Sequence, residues 1–198
     1  MQATRGTSLT SETGPTGPEQ PTNEASRAAD RATAISTHRR VFALVAVTAY
    51  ALDLGTKLLA VDRLTEGSPV RVVGSWLQLD LVRNPGAAFS TGTSYTLLLS
   101  VIAVVAAATV IRFGRRLGDP TWAVALGLLL AGVCGNLTDR IFREPGVMRG
   151  HVVDFLELPH WPVFNVADML IDAAVILILV QTWRGVRVTG ARGPDPSS

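Results

Sequence analysis

Asp53 and Lys57 lie four residues apart inside an otherwise apolar stretch, and Asp168 and Asp172 repeat that spacing in another. An ionisable side chain in hydrocarbon costs at least ~2.5–3.5 kcal/mol, so each of these residues is a functional candidate that needs a partner. At i, i+4 on a helix, Asp53 and Lys57 share a face and can pair. They serve either as an internal ion pair that orients the helix or as a direct contact to a ligand. Lys57 is the single lysine of the chain, against seventeen arginines. Asp172 reads as a bundle-facing residue hydrogen-bonded to a neighbouring helix. Two more carboxylates, Asp139 and Asp154, stand between apolar stretches, and Asp139 beside Arg140 suggests a helix-end salt bridge.

This surplus of aspartates suits acid–base chemistry. Two carboxylates held together in a partly dehydrated site cannot both ionise, so they share a proton and can activate a water between them. Spacing leaves open which two of Asp139, Asp154 and Asp168, with Asp53 nearby, form such a pair; Asp154 and Asp168 are one candidate. Other chemistries fit less well. A nucleophilic serine needs an adjacent base, and no Ser stands beside a His in an apolar stretch. No HExxH metal motif is present. Cys134 is the only cysteine; it reads as a small packing residue, and alone it forms neither a disulfide framework nor a Cys-based zinc site.

The elements that must position these groups follow from composition. Of 198 residues, 47% are hydrophobic and 17% charged, where globular chains carry about 25% charge. Eighteen basic against sixteen acidic residues give a net charge of +2, too near balance for a nucleic-acid surface. Residues 1–40 have three prolines and no sustained apolar run, which predicts a disordered tail. Apolar spans are expected at 41–61, 93–111, 120–138 and 163–183; the first would be about 31 Å long as a helix, matching a bilayer core. Between the first two spans, 62–92 contains the alternating VRVVGSWLQLDLV and predicts a small sheet. Residues 139–162 form a second loop on that side, and 184–198 a C-terminal tail. Eight arginines flank the termini's side and six the other, which places both termini in the cytoplasm. Asp119 before Pro120 is a cap-plus-proline helix start, and Gly127, Ala131 and Gly135 suit close helix packing. The expected fold is therefore an all-α membrane protein of four transmembrane helices, with a small outer sheet between helices 1 and 2.

That topology brings the polar groups to one level. Asp53 and Lys57 fall in the outer half of the first helix, and Asn84 to Phe89 precede the outer end of the second. The third ends outside in Gly135 to Arg140, and the fourth begins there with Phe164 to Asp168. A small transporter or proton channel would also use intramembrane carboxylates, but it needs access from both sides; the inner ends offer only arginines, and no inverted repeat is evident. A GxGD motif, required by the presenilin and prepilin-peptidase type of aspartic protease, is absent.

The ordered set DLGTK at 53–57, NPGAAF at 84–89, GNLTDR at 135–140, VVDF at 152–155 and FNVAD at 164–168 closely resembles bacterial lipoprotein signal peptidase, signal peptidase II, over roughly residues 41–183. The resemblance implies an aspartic endopeptidase of the cytoplasmic membrane, needing no metal or organic cofactor. Its substrates would be diacylglyceryl-modified prolipoproteins, cut before the lipidated cysteine at the extracytoplasmic face. By motif, the catalytic dyad falls on Asp154 and Asp168. Asp53, Lys57, Asn84, Gly86, Asn136, Asp139, Arg140 and Asn165 take substrate-binding or supporting positions. Residues 62–92 would be an extracytoplasmic β-cradle on the membrane, and globomycin-type peptides would be inhibitors of what is expected to be a monomer. Asp172 and the N-terminal forty residues match no part of the pattern, and the connection REPGVMRG between Asp139 and Asp154 is longer than in the shortest members.

Overall fold

The computed structural model describes residues 21–86 and 93–191, with side chains from 33 to 86 and from 96 to 191. Four helices carry the chain back and forth: α1 (Pro21–Arg63), α2 (Thr93–Gly114), α3 (Pro120–Phe142) and α4 (Val166–Trp183). Within them, Thr33–Arg63, Thr96–Gly114, Pro120–Phe142 and Val166–Trp183 are long and apolar enough to cross a membrane. Helix α3 is the central element, packing against α1, α2 and α4, whereas α2 and α4 hardly meet.

Residues 1–40 are expected to form a disordered tail, but helix α1 begins at Pro21; residues 1–20 lie outside the described part. Low hydropathy is misleading here. Pro21 occupies a first-turn position where its missing N–H costs nothing, and Ala25, Ala28, Ala29, Ala32 and Ala34 are strong helix formers. A helix that is already nucleated by the membrane span can propagate into such a sequence cheaply.

Further along the chain, α3 extends a full turn beyond the expected 138, so Asp139 and Arg140 are helical. Its start is as expected: Asp119 accepts the Trp122 N–H at 3.0 Å ahead of Pro120. The sheet is larger than a hairpin of 62–92. Strands β1 (Val70–Val73) and β2 (Leu77–Asn84) form the expected antiparallel pair, and β3 (Val152–Glu157) adds to the free edge of β2. The segment between α3 and α4, expected to be a loop, thus supplies the third strand. Its VVDF is buried on both faces, so it lacks the polar alternation by which half-buried strands are recognised. Ala60 of α1 packs with Leu81, Val153 and Phe155 in one apolar cluster, which seats the sheet on the end of the first helix. At the opposite end, Val110, Leu117, Trp122 and Leu126 form a second cluster with Val186. There the Trp122 indole donates to the Val186 carbonyl at 2.9 Å and Gln181 to Asp119 at 2.8 Å, fastening the C-terminal turn.

Candidate active site

The register of β2 against β3 sets Val82 opposite Asp154 and Asn84 opposite Val152. With a side-chain period of two, Asn84 is then the diagonal neighbour of Asp154 on the same face. Its Nδ2 donates to Asp154 Oδ2 at 2.8 Å. Asn84 Oδ1 in turn accepts the Gly86 N–H at 2.8 Å. Gly86 has φ of 110°, a backbone conformation that calls for glycine, and a Cβ there would have to displace the end of the Leu99 side chain, 2.8 Å away. The rest of the NPGAAF motif, residues 87–89, lies outside the described residues.

The second carboxylate sits in the first turn of α4. Asn165 is the N-cap: its Oδ1 accepts the Asp168 N–H at 3.1 Å, and Asp168 Oδ2 accepts the Asn165 N–H at 3.2 Å, a reciprocal capping box. The same Asn165 donates its side-chain amide to Asp154 Oδ1 at 2.5 Å. One buried asparagine therefore holds both aspartates, and links the sheet to the helix.

Asn136 of α3 completes the ring. Its Nδ2 donates to Asp168 Oδ1 at 2.9 Å, and its Oδ1 accepts from Asn165 Nδ2 at 3.2 Å and from Lys57 Nζ at 2.8 Å. Lys57 is fully buried and its ammonium also forms ion pairs with Asp53 Oδ2 at 3.0 Å and Asp139 Oδ2 at 2.9 Å. Asp53 Oδ1 accepts the Ala167 N–H at 2.8 Å, a first-turn donor of α4 that has no partner within the helix. Asp139 Oδ2 also accepts the Val153 N–H at 3.2 Å, directly before Asp154. The ion network thus reaches both α4 and β3.

Asp139 does not pair with its neighbour Arg140. Its other oxygen is taken by Arg143, one turn further along α3, a residue that the sequence motifs do not single out although it stands at i, i+4. Arg140 interacts electrostatically with Asp154, Asp139 and Asp168, and its Nη1 is buried with no hydrogen-bond partner among the described residues. Asp172 departs from expectation more sharply: it is exposed on α4, not turned into the bundle. Cys134, half-buried, lines an apolar recess with Ala46, Tyr50 and Leu130, consistent with a packing role.

Burial pushes the Asp154 carboxyl up to about 6, from an ordinary 3.8. The amides of Asn84 and Asn165 pull it down, because they bond the ionised form, and the Asp168 charge raises it. A carboxyl so poised, tied through one asparagine to a second carboxylate, suits general acid–base work near neutral pH.

Residues 45–184 match the signal peptidase (SPase) II family. The chain belongs to that family. It is 51% identical over 158 residues to a lipoprotein signal peptidase of Rhodococcus jostii, covering 79% of this chain and 80% of the relative. To that of Streptomyces griseus it is 46% identical, covering 86% and 88%, and to that of Mycobacterium tuberculosis 48%, covering 71% and 70%. Among solved structures, a bacterial membrane enzyme determined by the in meso method at 1.9 Å superposes with a TM-score of 0.63 at 28% identity, covering 70% of this chain and 90% of that one. A second, at 2.3 Å, gives 0.64 at 25% identity, covering 77% and 93%. The described residues of the peptidase's five sequence motifs meet at one end of its bundle.

Proposed function

We propose that the peptidase removes signal peptides from diacylglyceryl-modified prolipoproteins by cutting before the lipidated cysteine, with Asp154 and Asp168 as its catalytic dyad. The observation that carries this assignment is Asn165, which bonds Asp154 through its side chain and Asp168 through its backbone. The pair shares one proton. The ionised member removes a proton from water as the water oxygen bonds to the scissile carbonyl carbon, while the protonated member delivers its proton to the carbonyl oxygen. Breakdown of the tetrahedral intermediate breaks the C–N bond as the proton taken from water passes to the leaving amine and a hydroxyl proton of the intermediate returns to the other carboxylate, which restores the shared proton. Asn84 and Asn136 hold the carboxylates without adding charge, and Arg140 is placed to meet negative charge on the reacting group.

The site belongs to the extracytoplasmic face, with both termini in the cytoplasm. The signal peptide approaches through the bilayer, its acyl chains staying in lipid, and β1–β3 form the cradle that receives the lipidated segment. The enzyme acts as a monomer, and globomycin-type peptides compete at this site. Prolipoprotein processing in cells depleted of their own enzyme tests the dyad. Asp154→Asn and Asp168→Asn are each expected to abolish cleavage while the protein still accumulates in the membrane; normal processing by either would overturn the assignment.

A further inference from the structure

The membrane face of α4 carries a carboxylate that the dyad does not use. Asp172 lies within the span Val166–Trp183 and is exposed. Neither a hydrogen bond nor an ion pair reaches it among the described residues. Its neighbours along the helix, Met169 and Ile176, are 52% and 61% exposed, so it stands in an apolar surface that faces lipid in a bilayer. An ionisable group there is costly to keep and marks a site where something polar arrives.

Its position says what that is. Asp168 and Asp172 are i, i+4 neighbours on one side of α4, with Asp172 about 6 Å further along the axis, away from the outer end. The line by which α4 packs on the bundle runs through Ala167 and Ala174, both fully buried, and Asp172 sits roughly 140° around the helix from it. Because α2 and α4 hardly meet, no helix among the described residues covers this side. A substrate whose scissile bond reaches Asp168 has its preceding residues one turn deeper, beside Asp172. Those residues must leave the helical conformation for the bond to be cut, and in hydrocarbon the freed backbone N–H groups have no water to bond.

We propose that Asp172 is a substrate-binding residue whose carboxylate accepts hydrogen bonds from backbone N–H groups of the unwound signal peptide, just before the scissile bond. The inference rests on the dyad assignment above. It is tested with the full-length enzyme in lipid nanodiscs and a synthetic diacylglyceryl peptide in which ester bonds replace single amides at successive residues before the cleavage point. Asp172→Leu is expected to lower kcat/KM about tenfold, the size of a lost hydrogen bond to a charged group, and Asp172→Asn, which keeps an acceptor oxygen, to recover most of it. At one position the ester should cost the native enzyme about tenfold and the Asp172→Leu variant almost nothing. Native-like cleavage by Asp172→Leu overturns the proposal, as does an ester scan that costs both enzymes alike. Cleavage of the all-amide peptide by Asp154→Asn removes the dyad on which it stands, and is read separately.

Discussion

Lys57 Nζ lies 2.8 Å from Asn136 Oδ1, which leaves the amide nitrogen of Asn136 facing Asp168 at 2.9 Å. With the amide reversed, an NH2 group would meet an ammonium and a carbonyl oxygen would meet a carboxylate, both repulsive. Lys57 therefore decides which way Asn136 points, without itself hydrogen-bonding Asp154 or Asp168. Replacing it with methionine leaves Asp53 and Asp139 buried without their common cation. Removing one partner of a buried ion pair costs about 3–5 kcal/mol, so Lys57→Met is expected to lower Tm in detergent sharply and to end processing. A Lys57→Met protein as stable as the native one would show that the network is not what holds the site.

A second expectation concerns pH. Asp154 is raised by burial to about 6 from 3.8. A carboxyl raised on folding stabilises the protein fully below its unfolded value, and that contribution is lost as pH climbs through the folded value, here between 3.8 and about 6. Relative to Asp154→Asn, the native enzyme should thus lose thermal stability as pH rises across this window. Asn84→Ala removes a donor that favours the ionised form, so the carboxyl rises further. The limb of the kcat/KM profile that Asp154 governs should then move to higher pH; a downward shift would contradict the geometry.

Much of this site is legible in the amino-acid sequence, though unevenly. The Asp53–Lys57 pair follows from helical spacing alone. Arg143 obeys the same rule relative to Asp139, but ending α3 at 138 puts both residues in a loop where the rule has no meaning. Strand β3 is hidden because burial on both faces erases alternation, and with it goes the strand register that delivers Asn84 to Asp154. Asp172 is misplaced for a reason specific to membranes: the bundle-facing and lipid-facing sides of α4 are both apolar, so hydropathy does not separate inside from outside. The heptad of small or polar buried residues, Ala167, Ala174 and Gln181, is the better guide.

Gly135 provides a third prediction. The expected small-residue stripe exists, but its members meet different things: a Cβ on Gly127 would come 3.0 Å from the Phe42 carbonyl oxygen, whereas one on Gly135 would come 2.2 Å from Asp53 Oδ2. Gly135→Ala must therefore push the Asp53 carboxylate away from Lys57 and from the Ala167 N–H. Overpacking of this kind costs about 1–3 kcal/mol, and here the displaced group belongs to the site's ion network, so activity should fall along with Tm. Gly55, also helical, has open space where a methyl group would stand, with nothing within 4 Å, and Gly55→Ala should keep activity and hold or raise Tm. Equal behaviour of the two variants would refute the role given to the close approach.

The last prediction fixes the site's side of the membrane. Trp76 and Trp161, 75% and 63% exposed, stand near each other at the sheet end, beside Ser75 and His160. Exposed tryptophans of this kind belong at a membrane–water boundary. At the opposite end Arg39 reaches the Arg115 carbonyl and Gly118 donates to Val188 at 2.9 Å, gathering the basic part of α1 with the basic segments that follow α2 and α4. By the positive-inside rule that end is expected on the cytoplasmic side. In a Cys134→Ser background, a cysteine at Trp161 should react with a membrane-impermeant maleimide in intact cells, and one at Arg187 only after permeabilisation. The reverse pattern would put Asp154 and Asp168 on the cytoplasmic face. A signal peptide whose cleavage point has crossed the membrane could not reach them there, so this labelling decides between the proposed reaction and any other use of the dyad.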